Sequence, residues 1–227
     1  MLQSFTDREA ASAAAADIIE TALRRRLGAA DEATLVVSGG TTPERTFTDL
    51  ATRELPWARV HVVPSDERWV PATHSDSNER LIRETLLTGV AAAASLLPAY
   101  DPGRSVDEGA ATFDEALRAL PFPFACALLG MGEDGHFASL FPDADSLDAG
   151  LDVDGLRCAL PIGTDASPHA RVTLTLAALS RSDEVVLLVF GAAKRNVVEE
   201  AAASPDRYPV SHLLRQKRAP VHVLWAD

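Results

Sequence analysis

Short runs of consecutive apolar residues alternate along the chain with longer segments that mix apolar and polar residues. Such continuous runs are typical of strands buried on both faces of a sheet. They predict strands at 34–38, 59–64, 124–130, 184–190 and 221–225, and strands or strand-edge segments at 156–162 and 170–176. The run at 184–190 is the most apolar and predicts a central strand. The intervening segments predict helices at 8–27, 43–52, 77–88, 105–119 and 192–203.

This alternation of strands and helices predicts an α/β fold with a mostly parallel sheet that helices cover on both faces. Apolar residues make up 47% of the 227 residues, which is typical of a globular protein, and no linker divides the chain. We therefore predict one domain over residues 1–227. Ligands of such sheets bind beyond the carboxyl ends of the strands, so the residues that follow each strand are the candidates for function.

Acidic residues outnumber basic ones, with 33 Asp and Glu against 21 Lys and Arg, and the formal net charge is −12. This balance argues against a nucleic-acid partner, which would need a basic face. It does not exclude an anionic substrate, because a few local arginines can override the mean field. The first residues lack a signal-peptide pattern and no apolar run approaches about 18 residues, so we expect a cytoplasmic protein without a membrane partner.

Two cysteines, Cys126 and Cys158, each lie in an apolar segment, and neither has a CxxC partner. Cysteine often behaves as a small buried apolar residue, so we predict two buried free thiols. The cysteines therefore indicate neither a metal site nor a redox site.

The first strand leads into SGGTTPER, in which Gly39 and Gly40 allow a sharp turn and a close approach to a ligand. Thr41 and Thr42 add hydroxyl groups, and the helix that follows would offer free N–H groups to an anion. The alternative is an ordinary strand-to-helix turn with a threonine cap. The segment matches neither the dinucleotide nor the nucleoside-triphosphate glycine motif.

The second strand leads into DERWVP, where Arg68 could form a forked contact with a phosphate or a carboxylate. The alternative is a local ion pair between Arg68 and Asp66 or Glu67. Farther along, Asn78 can be interpreted as a cap or entry residue of the next helix.

The third strand leads into GMGEDGHFASLFP, a glycine-rich loop in which Asp134 and His136 lie two residues apart. In an extended loop the two side chains would share a side, so that Asp134 could orient the imidazole. Because histidine titrates near neutral pH, His136 is a candidate general base. The alternative is a buried or surface histidine in a glycine turn.

Two further cations, Arg171 and Lys194, lie near other strand ends. A cation near a helix start is disfavoured by the helix dipole, so Lys194 is better explained if it shares an anion there. The alternative is a solvated surface lysine. The other five histidines are interpreted as surface or packing residues, although His169 lies close to Arg171 in the sequence. They are His61, His74, His169, His212 and His222.

The segments SGGTTP, DERWVP with a downstream SN, LGMGEDGHFASLFP, RVTLTLAAL and GAAK occur in this order between residues 38 and 194. Together they resemble the 6-phosphogluconolactonase family, and the GEDGH-x-ASLFP segment is the most specific. The resemblance implies a three-layer, Rossmann-like α/β/α sandwich related to glucosamine-6-phosphate deaminase. It implies hydrolysis of 6-phospho-D-glucono-1,5-lactone to 6-phosphogluconate in the oxidative pentose phosphate pathway, without an obligatory metal or cofactor.

Transferred onto this sequence, the resemblance makes His136 the catalytic base and Asp134 its catalytic neighbour. It assigns the substrate and phosphate site to a second group of residues: Gly39, Gly40, Thr41, Thr42, Arg68, Arg171 and Lys194. The partner would be a small-molecule phosphosugar lactone, bound by a monomer or a small homo-oligomer. The sequence departs from the more familiar motifs at Thr41, where serine is usual, and at Phe137 and Asp143, where threonine and glycine are usual.

Two other functions remain compatible with these residues. A sugar-phosphate isomerase-deaminase would share the phosphate loop and the histidine, but its asparagine–glutamate–proline segment is replaced here by ASLFP. A non-catalytic sugar-phosphate sensor would need the phosphate site but not the pair of Asp134 and His136.

Overall fold

The computed structural model describes residues 2–227, and its main strands and helices follow the predicted alternation. The strands are β1 Leu2–Ser4, β2 Ala33–Val37, β3 Val60–Pro64, β4 Asp66–Arg68, β5 Ser95–Leu96, β6 Phe124–Leu129, β7 Ala159–Ile162, β8 Arg171–Leu174, β9 Ser182–Phe190 and β10 Val221–Ala226. The α-helices are α1 Arg8–Ala29, α2 Glu44–Leu50, α3 Asn78–Thr85, α4 Val106–Arg118, α5 Leu147–Leu151, α6 Leu176–Leu179, α7 Ala192–Ala203 and α8 Pro209–Arg215.

Seven strands form a sheet in the order β1-β10-β9-β6-β2-β3-β5, and every neighbouring pair in it is parallel. The predicted parallel sheet is thereby confirmed, and β9 lies inside it between β10 and β6. A second, antiparallel sheet has the order β4-β8-β7. The segments at 156–162 and 170–176 therefore contain strands shorter than predicted, and these strands lie outside the main sheet.

The main sheet is covered on both faces because its strands bury side chains in both directions. In β2, Leu35 and Val37 pack in one core with the side chains of α1, α2 and α3. Val36 points to the opposite core, which includes Phe113 of α4 and Val198 of α7. The result is the three-layer α/β/α sandwich that the sequence predicted.

Several short elements were not predicted, because two to seven residues carry too little periodicity to indicate a strand or a helix. They include β1, β4 and β5, and the helices α5, α6 and α8. The prediction of buried free thiols is confirmed, since Cys126 and Cys158 are both free and buried. None of the helices within residues 2–227 is both long enough and apolar enough to cross a lipid bilayer.

The order of the strands changes direction between β2 and β6. From β2 the chain moves outward to β3 and β5, whereas from β6 it moves the other way to β9 and β10. The loops that leave the carboxyl ends of β2 and β6 consequently diverge and leave a crevice between them. Such a point is where parallel α/β sheets bind their ligands.

Candidate active site

A cavity of about 290 Å3 lies at this crevice. Its wall is formed by the loops after β2 and β6, by β4 and β8, and by the first turns of α3 and α7. Its lining residues include every predicted substrate-binding residue together with the predicted base: Gly39, Gly40, Thr41, Thr42, Arg68, His136, Arg171 and Lys194. The chain brings these residues together although they span positions 39 to 194. Within the described residues the lining carries three cations and one carboxylate, that of Asp66, so the cavity is locally basic in a protein with a net charge of −12.

Asp134 and His136 are in direct contact. The Nδ1 atom of His136 lies 2.6 Å from Oδ1 of Asp134, and the backbone N–H of His136 donates to the same oxygen at 3.2 Å. The loop is not extended, as the sequence reasoning assumed. It is a tight turn in which the N–H of Gly132 donates to the carbonyl of His136 at 2.9 Å, so the backbone curls around the side-chain pair.

The turn that carries His136 is fixed from several sides. Gly135 has a φ of +78°, and a methyl group at this position would lie 2.7 Å from the side chain of Tyr208, so only glycine suits it. The N–H of Val210 donates to the carbonyl of Gly135 at 2.9 Å. The imidazole packs on the ring of Phe141, with 4.1 Å between ring centroids. The histidine is therefore held in one orientation.

Phe137, which departs from the familiar motif, does not disturb the imidazole. Its side chain is 0% exposed and packs in the core with Met131 and Leu140, away from the cavity. The ring that contacts His136 is that of Phe141. The imidazole keeps its contacts with Asp134 and Phe141 although phenylalanine stands at position 137 in place of the usual threonine.

The contact with Asp134 decides which nitrogen of His136 is free. Burial raises the pKa of Asp134, but the hydrogen bond and the charge of His136 lower it more, and the net pKa lies below the ordinary value. An ionised carboxylate accepts hydrogen bonds, so it favours the tautomer with a proton on Nδ1. The remaining nitrogen, Nε2, is then unprotonated and can accept a proton.

Arg68 and Arg171 lie directly opposite each other in the antiparallel pair of β4 and β8. Opposed like charges destabilise a pair of strands unless they share an anion. The guanidinium of Arg68 donates from Nη1 to the backbone carbonyl of Asp76 at 2.8 Å and to Oδ1 of Asn78 at 2.9 Å. The alternative of a local ion pair between Arg68 and its neighbours Asp66 or Glu67 is therefore wrong.

Arg171 is held against the histidine loop. Its Nη1 lies 3.5 Å from Oδ2 of Asp66 and 3.2 Å from the hydroxyl of Ser139, which itself donates to Asp66 at 2.6 Å. Its guanidinium also lies 5.1 Å from the ring centroid of Phe141. Burial lowers the pKa of Arg171 and the charge of Asp66 opposes that shift, and arginine remains protonated at any physiological pH.

Glu67 fixes the backbone on both sides of the contact between Arg68 and Asn78. Its buried carboxylate accepts the backbone N–H groups of Arg68, Asn78 and Glu79 at 2.7–2.8 Å and the hydroxyl of Ser77 at 3.2 Å. Burial raises its pKa to about 7, although the three backbone hydrogen bonds lower it. Glu67 thus joins β4 to the N-terminus of α3 and fixes the position of Asn78.

The glycine loop after β2 passes directly over Asn78. Gly39 has no room for a side chain, because a Cβ atom would lie 1.8 Å from Oδ1 of Asn78, and Gly40 has a φ of +80°. Within residues 2–227, the amides from Gly39 to Thr42 donate no hydrogen bond to the protein. Among residues 2–227, the hydroxyl of Ser38 and Nε of Arg68 are buried without a hydrogen-bond partner, and both residues line the cavity. These donors are available to a bound anion.

Lys194 completes the cationic side of the cavity. It is the third residue of α7, three positions after Gly191, and in the described part of the chain it forms no salt bridge. The position at a helix start agrees with the sequence prediction. A cation that is unfavourable to the helix dipole and has no protein counterion is available for a ligand anion.

Sequence reasoning did not select Asp66, Glu67, Asn78 and Ser139 as site residues. Asp66 and Glu67 were considered only as ion-pair partners of Arg68, and Asn78 only as a helix cap. The signal for Asn78 was the SN pair downstream of DERWVP, since Ser77 caps α3 and Asn78 opens it. Nothing in the sequence indicated that Ser139 contacts Asp66, because they lie 73 residues apart.

Comparison with known proteins identifies the class to which this fold and cavity belong. The family model described as glucosamine-6-phosphate isomerases/6-phosphogluconolactonase matches residues 6–225. The 6-phosphogluconolactonase of Caulobacter vibrioides is 43% identical over 228 residues, which cover 100% of this chain and 97% of that protein. The chain therefore belongs to this family of enzymes, and the resemblance inferred from the sequence is confirmed.

Solved structures support the same relationship. A crystal structure of a 6-phosphogluconolactonase from Shewanella baltica has a TM-score of 0.96 and 34% identity, with 100% of this chain and 97% of that chain covered. A monomeric glucosamine-6-phosphate deaminase has a TM-score of 0.78 at 17% identity, with 98% and 96% covered. At that identity the likeness concerns the fold alone, and it confirms the predicted structural relation to the deaminase.

Proposed function

We propose that the protein hydrolyses 6-phospho-D-glucono-1,5-lactone to 6-phosphogluconate, the lactonase step of the oxidative pentose phosphate pathway. The observation that carries the proposal is the contact of His136 with Asp134 in a cavity that also contains Arg68, Arg171 and Lys194. A base next to three cations suits a substrate that combines a phosphate dianion with an electrophilic ester. The names of the full-length relatives point to the same reaction.

In this proposal the cations and the glycine loop bind the substrate. Arg68, Arg171 and Lys194 hold the phosphate and the polar groups of the sugar acid, and the free amides between Gly39 and Thr42 donate to the phosphate oxygens. The overall charge of −12 does not oppose this binding, because the local lining is positive. No metal is needed to neutralise the phosphate when three cations surround it.

His136 acts as the general base. Asp134 keeps the proton on Nδ1, and Nε2 takes a proton from a water molecule that attacks C1 of the lactone. Negative charge then develops on the former carbonyl oxygen, where backbone N–H groups can stabilise it. The protonated imidazole finally gives its proton to the departing ring oxygen, which opens the lactone. General-base catalysis of this kind contributes about 10²–10⁴-fold.

The test is the rate of proton release from freshly prepared 6-phosphoglucono-1,5-lactone, corrected for spontaneous opening. Unphosphorylated glucono-1,5-lactone serves as the matched substrate without the phosphate. The proposal expects rapid hydrolysis of the phosphorylated lactone and a much lower kcat/KM for the unphosphorylated one. Background rates with the lactone, together with ammonia release from glucosamine 6-phosphate, would instead favour a deaminase. Tight binding of the phosphosugar without any turnover would favour a sensor.

A further inference from the structure

Three side chains with metal-binding atoms meet beside the cavity, and the proposed reaction uses none of them. One nitrogen from each of His74 and His169 and a carboxylate oxygen of Asp76 lie within 4.8 Å of one another. Nε2 of His169 is 3.1 Å from Oδ2 of Asp76, and Nδ1 of His74 is 3.9 Å from the same oxygen. The two imidazole rings meet edge to face, with 5.3 Å between centroids.

This set of donors suits a divalent transition metal. Two imidazoles and a carboxylate are ligands of Zn²⁺, Co²⁺ or Ni²⁺, whereas Ca²⁺ and Mg²⁺ prefer oxygen ligands alone. Zinc bonds of about 2.0–2.1 Å in a tetrahedron place ligand atoms about 3.3 Å apart. The side chains of His74, Asp76 and His169 are 42%, 49% and 27% exposed, so small rotations can close the remaining gap and a water can supply a fourth ligand.

We propose that a zinc-like divalent cation binds to His74, Asp76 and His169 as a regulatory ion that hydrolysis itself does not require. Hydrogen bonds connect the loops that carry these three ligands to the arginines of the substrate site. The backbone carbonyl of Asp76 accepts from Nη1 of Arg68 at 2.8 Å. On the other loop, the hydroxyl of Ser167 donates to the carbonyl of His169 at 3.1 Å and accepts from Nε of Arg171 at 3.0 Å. The ion would therefore join the two loops that hold the two arginines.

The ion also changes the local charge. Asp76 alone places one negative charge next to Arg68, and a bound divalent cation turns that into one positive charge. A more positive rim favours binding of a phosphate dianion, so we expect the metal to lower KM by about two- to fivefold and to leave kcat unchanged. This coupling depends on the proposed lactonase function, whereas the metal site itself does not.

Metal binding is tested without any activity assay. Chelator-treated enzyme is titrated with Co²⁺ and followed by its visible absorption, which is diagnostic of tetrahedral nitrogen and oxygen ligation, and with Zn²⁺ by calorimetry. We expect one ion per chain, and a rise in Tm of roughly 5–10 °C when the free metal reaches about 100 times its Kd. Asp76→Asn and His169→Gln should abolish the spectrum and the shift. His222→Gln is the matched control, because this histidine pairs with Glu184 on β9, and it should bind like the wild type.

A second control uses His136→Asn, since His136 and Asp134 are the other imidazole–carboxylate pair that lines or adjoins the cavity. Retention of one ion in His136→Asn and its loss in His169→Gln supports the proposed site. Loss in His136→Asn with retention in His169→Gln, or no binding by the wild type at millimolar metal, overturns it. If the ion binds as proposed but KM is the same with and without metal, the regulatory coupling is wrong while the site stands.

Discussion

The close contact between Gly39 and Asn78 makes Gly39→Ala a test of how the glycine loop and Arg68 are coupled. The added Cβ would lie 1.8 Å from Oδ1 and 2.2 Å from Cγ of Asn78, and Asn78 is only 2% exposed, so its side chain must leave its position. It would lose the hydrogen bonds that join Arg68 Nη1 to Oδ1 at 2.9 Å and Nδ2 to the carbonyl of Asp66 at 2.7 Å. One charge-assisted and one neutral hydrogen bond together correspond to about 2–4 kcal/mol.

The assay is urea unfolding of a double-mutant cycle at pH 7. Gly39→Ala and Asn78→Ala should each lower the free energy of unfolding by about 2–4 kcal/mol, because each removes the same two hydrogen bonds. The double variant should lose no more than Asn78→Ala alone, since alanine at position 78 makes room for the new methyl group. The interaction energy is then about 2–4 kcal/mol in favour of the double variant.

Additive losses, within about 0.5 kcal/mol, would refute this reasoning, because they would mean that Gly39 and Asn78 act independently. The kinetic consequence is measured on the same proteins. Gly39→Ala should raise KM for the phosphorylated lactone, since Arg68 loses the side chain that orients it. If Gly39→Ala loses about 2–4 kcal/mol of stability but keeps the wild-type KM, Asn78 does not orient Arg68 for substrate binding, and the predicted rise in KM is wrong.

Three further predictions concern single substitutions. Asp134→Asn should lower kcat about 10²–10⁴-fold with little change in KM, because the imidazole loses the carboxylate that fixes its tautomer. A wild-type kcat in this variant would contradict that role of Asp134. Lys194→Gln should lower kcat/KM for the phosphorylated lactone about 10- to 150-fold, as expected from one lost charge-assisted hydrogen bond. It should leave kcat/KM for the unphosphorylated lactone unchanged. Equal losses on both substrates would argue against a contact between Lys194 and the phosphate. Burial raises the pKa of Glu67 to about 7 from its ordinary value of 4.5. Its contribution to stability is therefore complete below about pH 4.5 and is lost as the pH rises through about 7. The free energy of unfolding of the wild type should therefore fall over this range, relative to Glu67→Gln, by at most about 3 kcal/mol, and parallel pH profiles in urea unfolding would contradict the shift.

The sequence predicted the layers of this fold because burial on both faces leaves a direct trace in the chain. In β2 all five residues are buried and all but Thr34 are apolar, which is close to the continuous apolar run expected of such a strand. The same reasoning located β6 and β9, and the glycine loops after the strand ends identified the neighbourhood of the cavity. Short elements such as β4 left no comparable pattern, since three residues cannot express a period.

Contacts across the site could not be predicted from spacing alone. Arg68 and Arg171 lie opposite each other only because β4 and β8 pair in one register, and pairing between distant segments is decided by tertiary packing. Asp134 was expected to reach His136 from an extended loop, and it does so from a tight turn closed by the hydrogen bond from Gly132 to His136. The residue types were thus readable from the sequence, whereas their geometry required the fold.

The role of His136 as the base is the central claim, and the most direct measurement is the turnover of 6-phosphoglucono-1,5-lactone by His136→Asn. His222→Asn is the matched control, because that histidine lies on β10 and pairs with Glu184. We expect kcat of His136→Asn to fall about 10²–10⁴-fold at unchanged stability, while the control keeps the wild-type rate. A folded His136→Asn variant that hydrolyses the lactone at the wild-type rate would contradict the account.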